Sequence, residues 1–346
     1  MTQLLEMKDK LIRFYGRFET YIIIAVKFCI AFYMLLTINA NIGYMTKISS
    51  TPVALILALV CSVLPINATI LIGGLFVVLN MYALAMEAAL VSLLLLLLLY
   101  LLYFRFSPKD GISVVLTPVL FRYNVQYVMP IASGLLRSAQ SVLAVVCGTI
   151  LYYFVDGVRL NASILTSTNG EESDTLSKLN IIIGQLKDNK EMILVILIFV
   201  VTSLVVYFVR SMPIEHSWTI AILAGGIIQI IGLLVGFTLI GIPGRALGVI
   251  VGGVVSVLLC FVIQFFMMNL DYARTERVQF EDDDYYYYVV AIPKKMIASR
   301  EKKVQRFGNT TTMGKRVKTV NTLDKETEKN RKAIAEELDI DEDLLK

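Results

Sequence analysis

From Tyr21 to Leu270 the chain is a succession of apolar runs, and from Asp271 to Lys346 nearly every other residue is polar. Soluble domains do not segregate in this way, because each element needs a polar face to cover the core. A helix needs about 20 apolar residues to span the hydrocarbon, within a range of roughly 17–25. Runs of that length lie at 21–43, 68–86, 88–104, 138–155, 191–209, 218–240 and 246–268. Two further stretches are irregular. Residues 52–64 are short and bounded by Pro52 and Pro65. Residues 112–136 are interrupted by Arg122-Tyr123-Asn124-Val125-Gln126 and carry Pro118 and Pro130.

The pattern predicts an all-α polytopic membrane domain. It has about eight transmembrane helices, or about six plus two re-entrant segments, and ends in a small cytoplasmic tail. Within that tail, residues 275–292 alternate as a β-hairpin around Asp282-Asp283-Asp284, and Ala333 to Leu338 read as a short helix. The organisation is a juxtamembrane segment at 1–20, a multi-pass domain at 21–270 and a tail at 271–346. Composition agrees: 57% of the 346 residues are hydrophobic and 17% charged, against about 25% charged in soluble chains. The lipid bilayer is therefore the first partner.

Charge adds sidedness, because Lys and Arg of short flanking segments collect on the cytoplasmic side. Lys8, Lys10, Arg13 and Arg17 precede the first run; Arg105 and Lys109 follow 88–104; Arg210 follows 191–209; Arg274 and Arg277 follow 246–268. All fall on one side if 52–64 crosses and 112–136 does not. Both termini are then cytoplasmic and 156–190 is an external loop, with an amphipathic stretch at Leu176, Leu179, Ile183 and Leu186. The first run reads as a retained signal-anchor helix. Residues 294–332 carry thirteen Lys/Arg against four Asp/Glu. That stretch suits anionic lipid heads or a cytoplasmic protein partner, and no module for specific nucleic acid accompanies it.

The candidate chemistry is sparse. Thr51-Pro52-Val53 up to Leu64-Pro65-Ile66 is echoed by Thr117-Pro118-Val119 up to Met129-Pro130-Ile131. Paired broken helices of this kind form the midplane sites of many duplicated transporters, whereas prolines are also ordinary in membrane helices. Arg122, Asn124, Gln126, Pro65 and Pro130 are thus the candidate pathway-lining residues. The alternative for the polar run is a plain cytoplasmic loop. Lys27 can snorkel to the inner headgroups. Gly232, Gly236, Gly244, Gly248 and Gly252 are spaced for close helix packing and predict a tight contact of 218–240 with 246–268.

The four cysteines lie inside apolar runs, with no CxxC or Cys/His grouping, so neither a disulfide framework nor a metal site is expected. The one histidine, His216, stands in a short loop. No H-E-x-x-H, no phosphate-binding G-x-x-x-x-G-K-[ST] and no G-x-S-x-G occurs. No catalytic residue and no cofactor is expected, and ATP-driven transport would need a separate ATPase subunit. Two functions stay open. One is a permease-like transporter or the membrane subunit of a transport system, which predicts polar groups converging on a midplane cavity. The other is a membrane anchor or scaffold holding a cytoplasmic assembly through its tail, which predicts a domain sealed by apolar packing.

Overall fold

The computed structural model describes residues 2–166, 172–267, 276–281 and 286–291. The chain divides into Met1–Ile297 and Ala298–Lys346, and the second unit, with the basic stretch from 298 onward and the expected short helix, lies outside the described residues. The first unit is built from helices α1 (Thr2–Ile42), α2 (Thr51–Val63), α3 (Ile66–Leu84), α4 (Met86–Phe106), α5 (Gly111–Arg122), α6 (Val128–Leu136), α7 (Val142–Leu160), α8 (Ala162–Thr166), α9 (Glu172–Lys187), α10 (Lys190–Ser211), α11 (Ser217–Ile240) and α12 (Ala246–Met267). Beyond them Glu276–Glu281 (β1) and Tyr286–Ala291 (β2) pair antiparallel, with Glu276 opposite Ala291 and Glu281 opposite Tyr286. The turn at 282–285 lies outside the described residues.

Among the described residues, seven helical stretches are long and apolar enough to cross a membrane: Arg13–Ile42, Ile66–Leu84, Met86–Phe106, Ala139–Leu160, Lys178–Ser211, Ser217–Ile240 and Ala246–Met267. Their outward faces suit lipid. α4 buries Ala88, Ser92, Leu96, Leu99 and Tyr103 while Leu90, Leu94, Leu97, Leu98 and Leu101 stay exposed. A helix apolar all round needs an apolar solvent. α1 begins well before the first apolar run, at Thr2, and bends where Phe18 leaves helical geometry (φ −119°, ψ 23°).

Two sets of contacts define the ends of the bundle, here called basal and distal. At the distal end the Asn80 Oδ1 of α3 accepts from Met45 N–H (3.2 Å) and Ser49 Oγ (2.8 Å), in the link between α1 and α2. Toward the basal end Lys27 Nζ of α1 donates to the carbonyl of Leu64 at 3.3 Å. α2 therefore runs distal to basal between α1 and α3, and its 13 residues rise about 20 Å. Its limits follow from its prolines. Pro52 sits in the first turn, where the missing N–H costs nothing, and Pro65 holds Leu64 extended.

The second proline-rich stretch folds differently. α5 leaves the basal end, where a Cβ at Gly111 would touch Tyr103, Ile70 and Ile66. It rises until Phe121 stacks on Tyr152 of α7 at 4.3 Å. The chain then reverses through Asn124, in left-handed geometry (φ 56°), and α6 descends to the base. There Arg137 Nε meets Asp110 Oδ1 at 3.4 Å and Ser107 Oγ donates to the Gln140 carbonyl at 2.5 Å. Both ends of this hairpin share the basal end, and its exposed tip abuts Gly252 of α12. Pro118 and Pro130 stand within the two half-helices, so the two proline-bounded stretches are not structural copies.

The glycine spacing in α11 and α12 also finds other neighbours than expected. Cβ atoms at Gly232 and Gly236 would strike Ile198 and Leu194 of α10, and one at Gly252 would strike Tyr127 and the Asn124 carbonyl. Gly244 and Gly248 face open space. α11 and α12 instead meet through Gly226 against Val257 and Gly253 against Ile230.

Candidate functional site

The site is read most easily along α10, α11 and α12, each of which carries a buried, unpartnered polar residue between two apolar plates. On α10 the adjacent Ser203 is buried as well and shares a hydrogen bond with Ser133 Oγ at 3.1 Å. On the distal side Phe199, Leu233 and Val249 join Phe121, Tyr127 and Tyr153 in one cluster. On the basal side Val206, Ile222 and Cys260 join Val128, Ile131 and Leu135 in another. Between them lie Thr202, Gln229 and Ser256. The cross-contacts keep the three at one level: Thr202 is 3.6 Å from a Cβ built at Gly225, one turn before Gln229. Ser256 stands one turn from both Gly252, which abuts the hairpin tip, and Cys260, whose Sγ lies 4.0 Å from the Val128 carbonyl.

These side chains are buried without partners. Gln229 is 1% exposed, and Thr202 and Ser256 are 0% exposed. Neither amide atom of Gln229, nor the hydroxyl of Thr202 or Ser256, nor the Gln126 Oε1 at the tip has a hydrogen-bond partner. Most membrane-helix hydroxyls escape this fate by bonding back to their own helix: Thr117 donates to the Ser113 carbonyl at 2.6 Å and Thr149 to that of Val145 at 2.9 Å. An unsatisfied buried polar group costs about 1–3 kcal/mol, so several near one level set this part of the bundle apart from the hydroxyls that bond back to their own helix.

Above the aromatic plate an open cleft of about 620 Å³ faces the distal end, lined by Tyr152, Tyr153, Asp156, Asp188, Lys190, Glu191 and Arg245 among others. Its floor is held by a short network in which Tyr153 Oη donates to Glu191 Oε1 at 2.9 Å and Arg245 pairs with the same carboxylate. Asn189 caps α10 by accepting from Met192 N–H at 2.9 Å, which fixes Glu191 in the first turn. Phe121 and Tyr153 (5.7 Å between rings), Phe121 and Phe199 (6.1 Å), and Tyr127 and Phe199 (6.4 Å) form the plate separating cleft from polar layer. At the basal end Arg210 Nη1 donates to the carbonyls of Gly134, Leu135 and Arg137, closing the last turn of α6.

Of the five residues singled out in the sequence, Gln126 and Pro130 flank this layer, and Pro130 is buried inside α6. Arg122 is exposed and points away, reaching Asn41 Oδ1 of α1 at 3.4 Å. Asn124 is exposed at the reversal, and Pro65 caps α3 near the basal end. Thr202, Gln229 and Ser256 were not singled out; a polar residue at one helical face of an otherwise apolar run was their only signal. A second, apolar cavity of about 70 Å³ lies among α1, α3, α4, α5 and α7, around Met34, Gly73, Leu99 and Cys147. Among the described residues no cluster of three His, Cys, Asp or Glu is placed to hold a metal. Comparison with protein-family models, curated proteins and solved structures finds no match.

Proposed function

We propose that this chain is a permease-like transporter, or the membrane subunit of a transport system, in a cell membrane. α2 makes an eighth crossing, α5–α6 is re-entrant, and both termini lie in the cytoplasm. The observation that carries the reading is the buried, unpartnered layer of Thr202, Gln229 and Ser256 between two apolar plates, with the unpartnered Gln126 Oε1 flanking it. It lies beside a broken helix pair of the kind that binds solutes at mid-membrane in transporters. Irregular backbone at that depth is tolerated only when buried in protein or wet. Sidedness is read from an excess of charge: Lys8, Lys10, Arg13, Arg17, Arg105, Lys109, Arg137 and Arg210 lie toward the basal end, against Lys47, Arg159, Lys187, Lys190 and Arg245 toward the distal one, which favours a cytoplasmic base.

The test is thiol accessibility in a background without the four native cysteines. With a Ser256→Cys thiol, a small polar methanethiosulfonate reagent added to membranes should react, and faster once Phe199→Ala opens the aromatic plate. A thiol at that position that resists the reagent in both backgrounds would mean a sealed domain, and the anchor or scaffold reading, with its function in the tail, would take over. For sidedness, Lys187→Cys should label with an impermeant reagent in intact cells and Lys10→Cys should not. The reverse pattern would invert the topology.

A further inference from the structure

The apolar cavity among α1, α3, α4, α5 and α7 is long for its volume. Its lining runs from Met34 to Asn41 on α1, from Ile70 to Val77 on α3 and from Leu96 to Tyr103 on α4. Each stretch covers about 10 Å of helix. The volume of about 70 Å³ has room for a row of about five small groups, at about 10–15 Å³ for one the size of water. Water has nothing to hold there. The hydroxyls of the wall are already spent: Thr37 Oγ1 donates to the Tyr33 carbonyl at 2.8 Å, Tyr100 Oη to that of Ile70 at 2.5 Å, and Tyr103 Oη to Asn67 Oδ1 at 2.8 Å. An apolar space of this kind stays dry and takes apolar guests, and left empty it forfeits the dispersion contacts of its walls.

The two ends of this slot differ. Toward the base it is closed where Tyr103 and Ile70 press on Gly111, at which a Cβ would lie 2.8 Å from the Tyr103 hydroxyl and 3.0 Å from Ile70. At the distal rim Thr37, Asn41, Tyr152 and Val155 are only half-buried. Charge stands at that rim. Asn41 Oδ1 accepts from Arg122 Nη1 at 3.4 Å, and Arg122 is exposed. Among the described residues no carboxylate pairs with Arg122. Asp156, which follows Val155, is already held by Arg159 at 2.7 Å. The rim therefore sets an uncompensated positive charge over an apolar slot.

We infer that the slot takes one acyl chain of an anionic phospholipid from the leaflet at the distal end, with its head group against Arg122 and Asn41. Acyl chains are the apolar molecules that surround a spanning bundle, so no other guest competes at their concentration. Basic residues at clefts between membrane helices suit anionic head groups, and the Asn41 amide nitrogen adds a donor beside the guanidinium. The seated chain joins α1 to α5 and α7. Through Tyr152, which lines both spaces, it also lies next to the distal cleft. The inference needs only that the domain lies in a membrane, and it stands whether or not the domain transports.

The experiment reconstitutes the full-length protein in phosphatidylcholine vesicles with a trace of photoreactive lipid. The probes are phosphatidylglycerol and phosphatidylcholine carrying the same diazirine-labelled chain, and crosslinked peptides are mapped by mass spectrometry. Phosphatidylglycerol should label buried lining residues such as Met34, Leu99 and Cys147 about fivefold more than phosphatidylcholine does, the preference expected of one cation at head-group level. Arg122→Gln, an exposed change that leaves packing alone, should bring the two yields together. Val115→Phe, which fills the slot from α5, should remove the buried crosslinks and keep those on the outward Leu97 and Leu98. Wild-type crosslinks confined to outward faces would overturn the proposal. Equal yields from the two lipids in the wild type would overturn the part given to Arg122. Photoreactive palmitate that labels the same buried residues more strongly than phosphatidylglycerol would overturn the bilayer lipid as occupant in favour of a free fatty acid.

Discussion

Two carboxamides buried in this bundle lead opposite lives. Asn80 of α3 is 0% exposed and fully engaged: its oxygen accepts from Met45 N–H and Ser49 Oγ, and its nitrogen donates to the Phe76 carbonyl at 2.9 Å. Gln229 of α11 is 1% exposed and bonds to nothing. The contrast extends to their surroundings. Further along the same helix, toward its basal end, Tyr100 Oη donates to the Ile70 carbonyl (2.5 Å) and Tyr103 Oη to Asn67 Oδ1 (2.8 Å), so α3 and α4 are stapled by polar contacts. Asn39, half-buried near the end of α1, is the exception on that side. Around Gln229, Thr202 of α10 and Ser256 of α12 are stranded as well. A polar group inside a membrane domain is thus no mark of function by itself; what matters is whether the fold has already answered it.

The largest effect that tests this contrast is on Asn80. Asn80→Ala strands the Met45 amide and the Ser49 hydroxyl and should cost about 2–6 kcal/mol, at about 1–3 kcal/mol per abandoned group. It should show as a large fall in thermal midpoint of the detergent-purified protein. A loss below about 1 kcal/mol, the net value of one ordinary hydrogen bond, would remove Asn80 as a staple. Next in size is Gly252→Ala. Its Cβ would lie 2.7 Å from the Asn124 carbonyl oxygen and 2.6 Å from the Tyr127 ring, so α12 and the tip must separate, at about 1–3 kcal/mol. Gly248→Ala, with nothing within 4 Å, is the matched control and should be neutral or slightly stabilising. Equal behaviour of the two would deny the contact with the tip. Gln229→Leu should move stability the other way, raising it by about 1 kcal/mol as an unanswered amide becomes apolar. Lost stability instead would mean that Gln229 is answered, as Asn80 is.

Much of the architecture was legible because spanning is a statement about length: a run of about 20 apolar residues has few other uses. The seven long helices were visible for that reason, and α2 was bracketed by Pro52 and Pro65. The break at Arg122 to Gln126 was visible because so polar a run cannot continue an apolar helix. Its depth was not, since that depends on the Asp110–Arg137 base and on Phe121 reaching Tyr152, both contacts between distant segments. The proline echo misled because similar spacing placed Pro52 in a first turn, where it is harmless, and Pro118 inside a half-helix. The glycine spacing identified a face and could not name the neighbour pressed against it. Thr202 and Ser256 were illegible for a sharper reason: in sequence they look like Thr117 or Thr149, and only packing decides whether a hydroxyl bonds back to its own helix.

The smallest expected effect concerns the base of the hairpin, where burial and pairing compete at one carboxyl. Asp110 is buried with only its Arg137 partner half in solvent (side chains 7% and 47% exposed). Burial raises its pKa above the ordinary range, and the Arg137 guanidinium draws it back only in part. The folded protein therefore holds this proton where the unfolded chain, titrating near about 3.9, has released it. It follows that the contribution to stability is fully present below that ordinary value and is lost as pH rises through the folded one, then stays level. The sign is opposite to that of a carboxylate dominated by its ion pair. Thermal midpoints of wild type and Asp110→Asn, taken between pH 4 and 7, isolate the effect, because every other carboxylate is common to both. The wild type should lose stability relative to the variant as pH rises. A difference that grows in favour of the wild type would show that Arg137 outweighs burial, and would make the base of α5–α6 a latch held by charge.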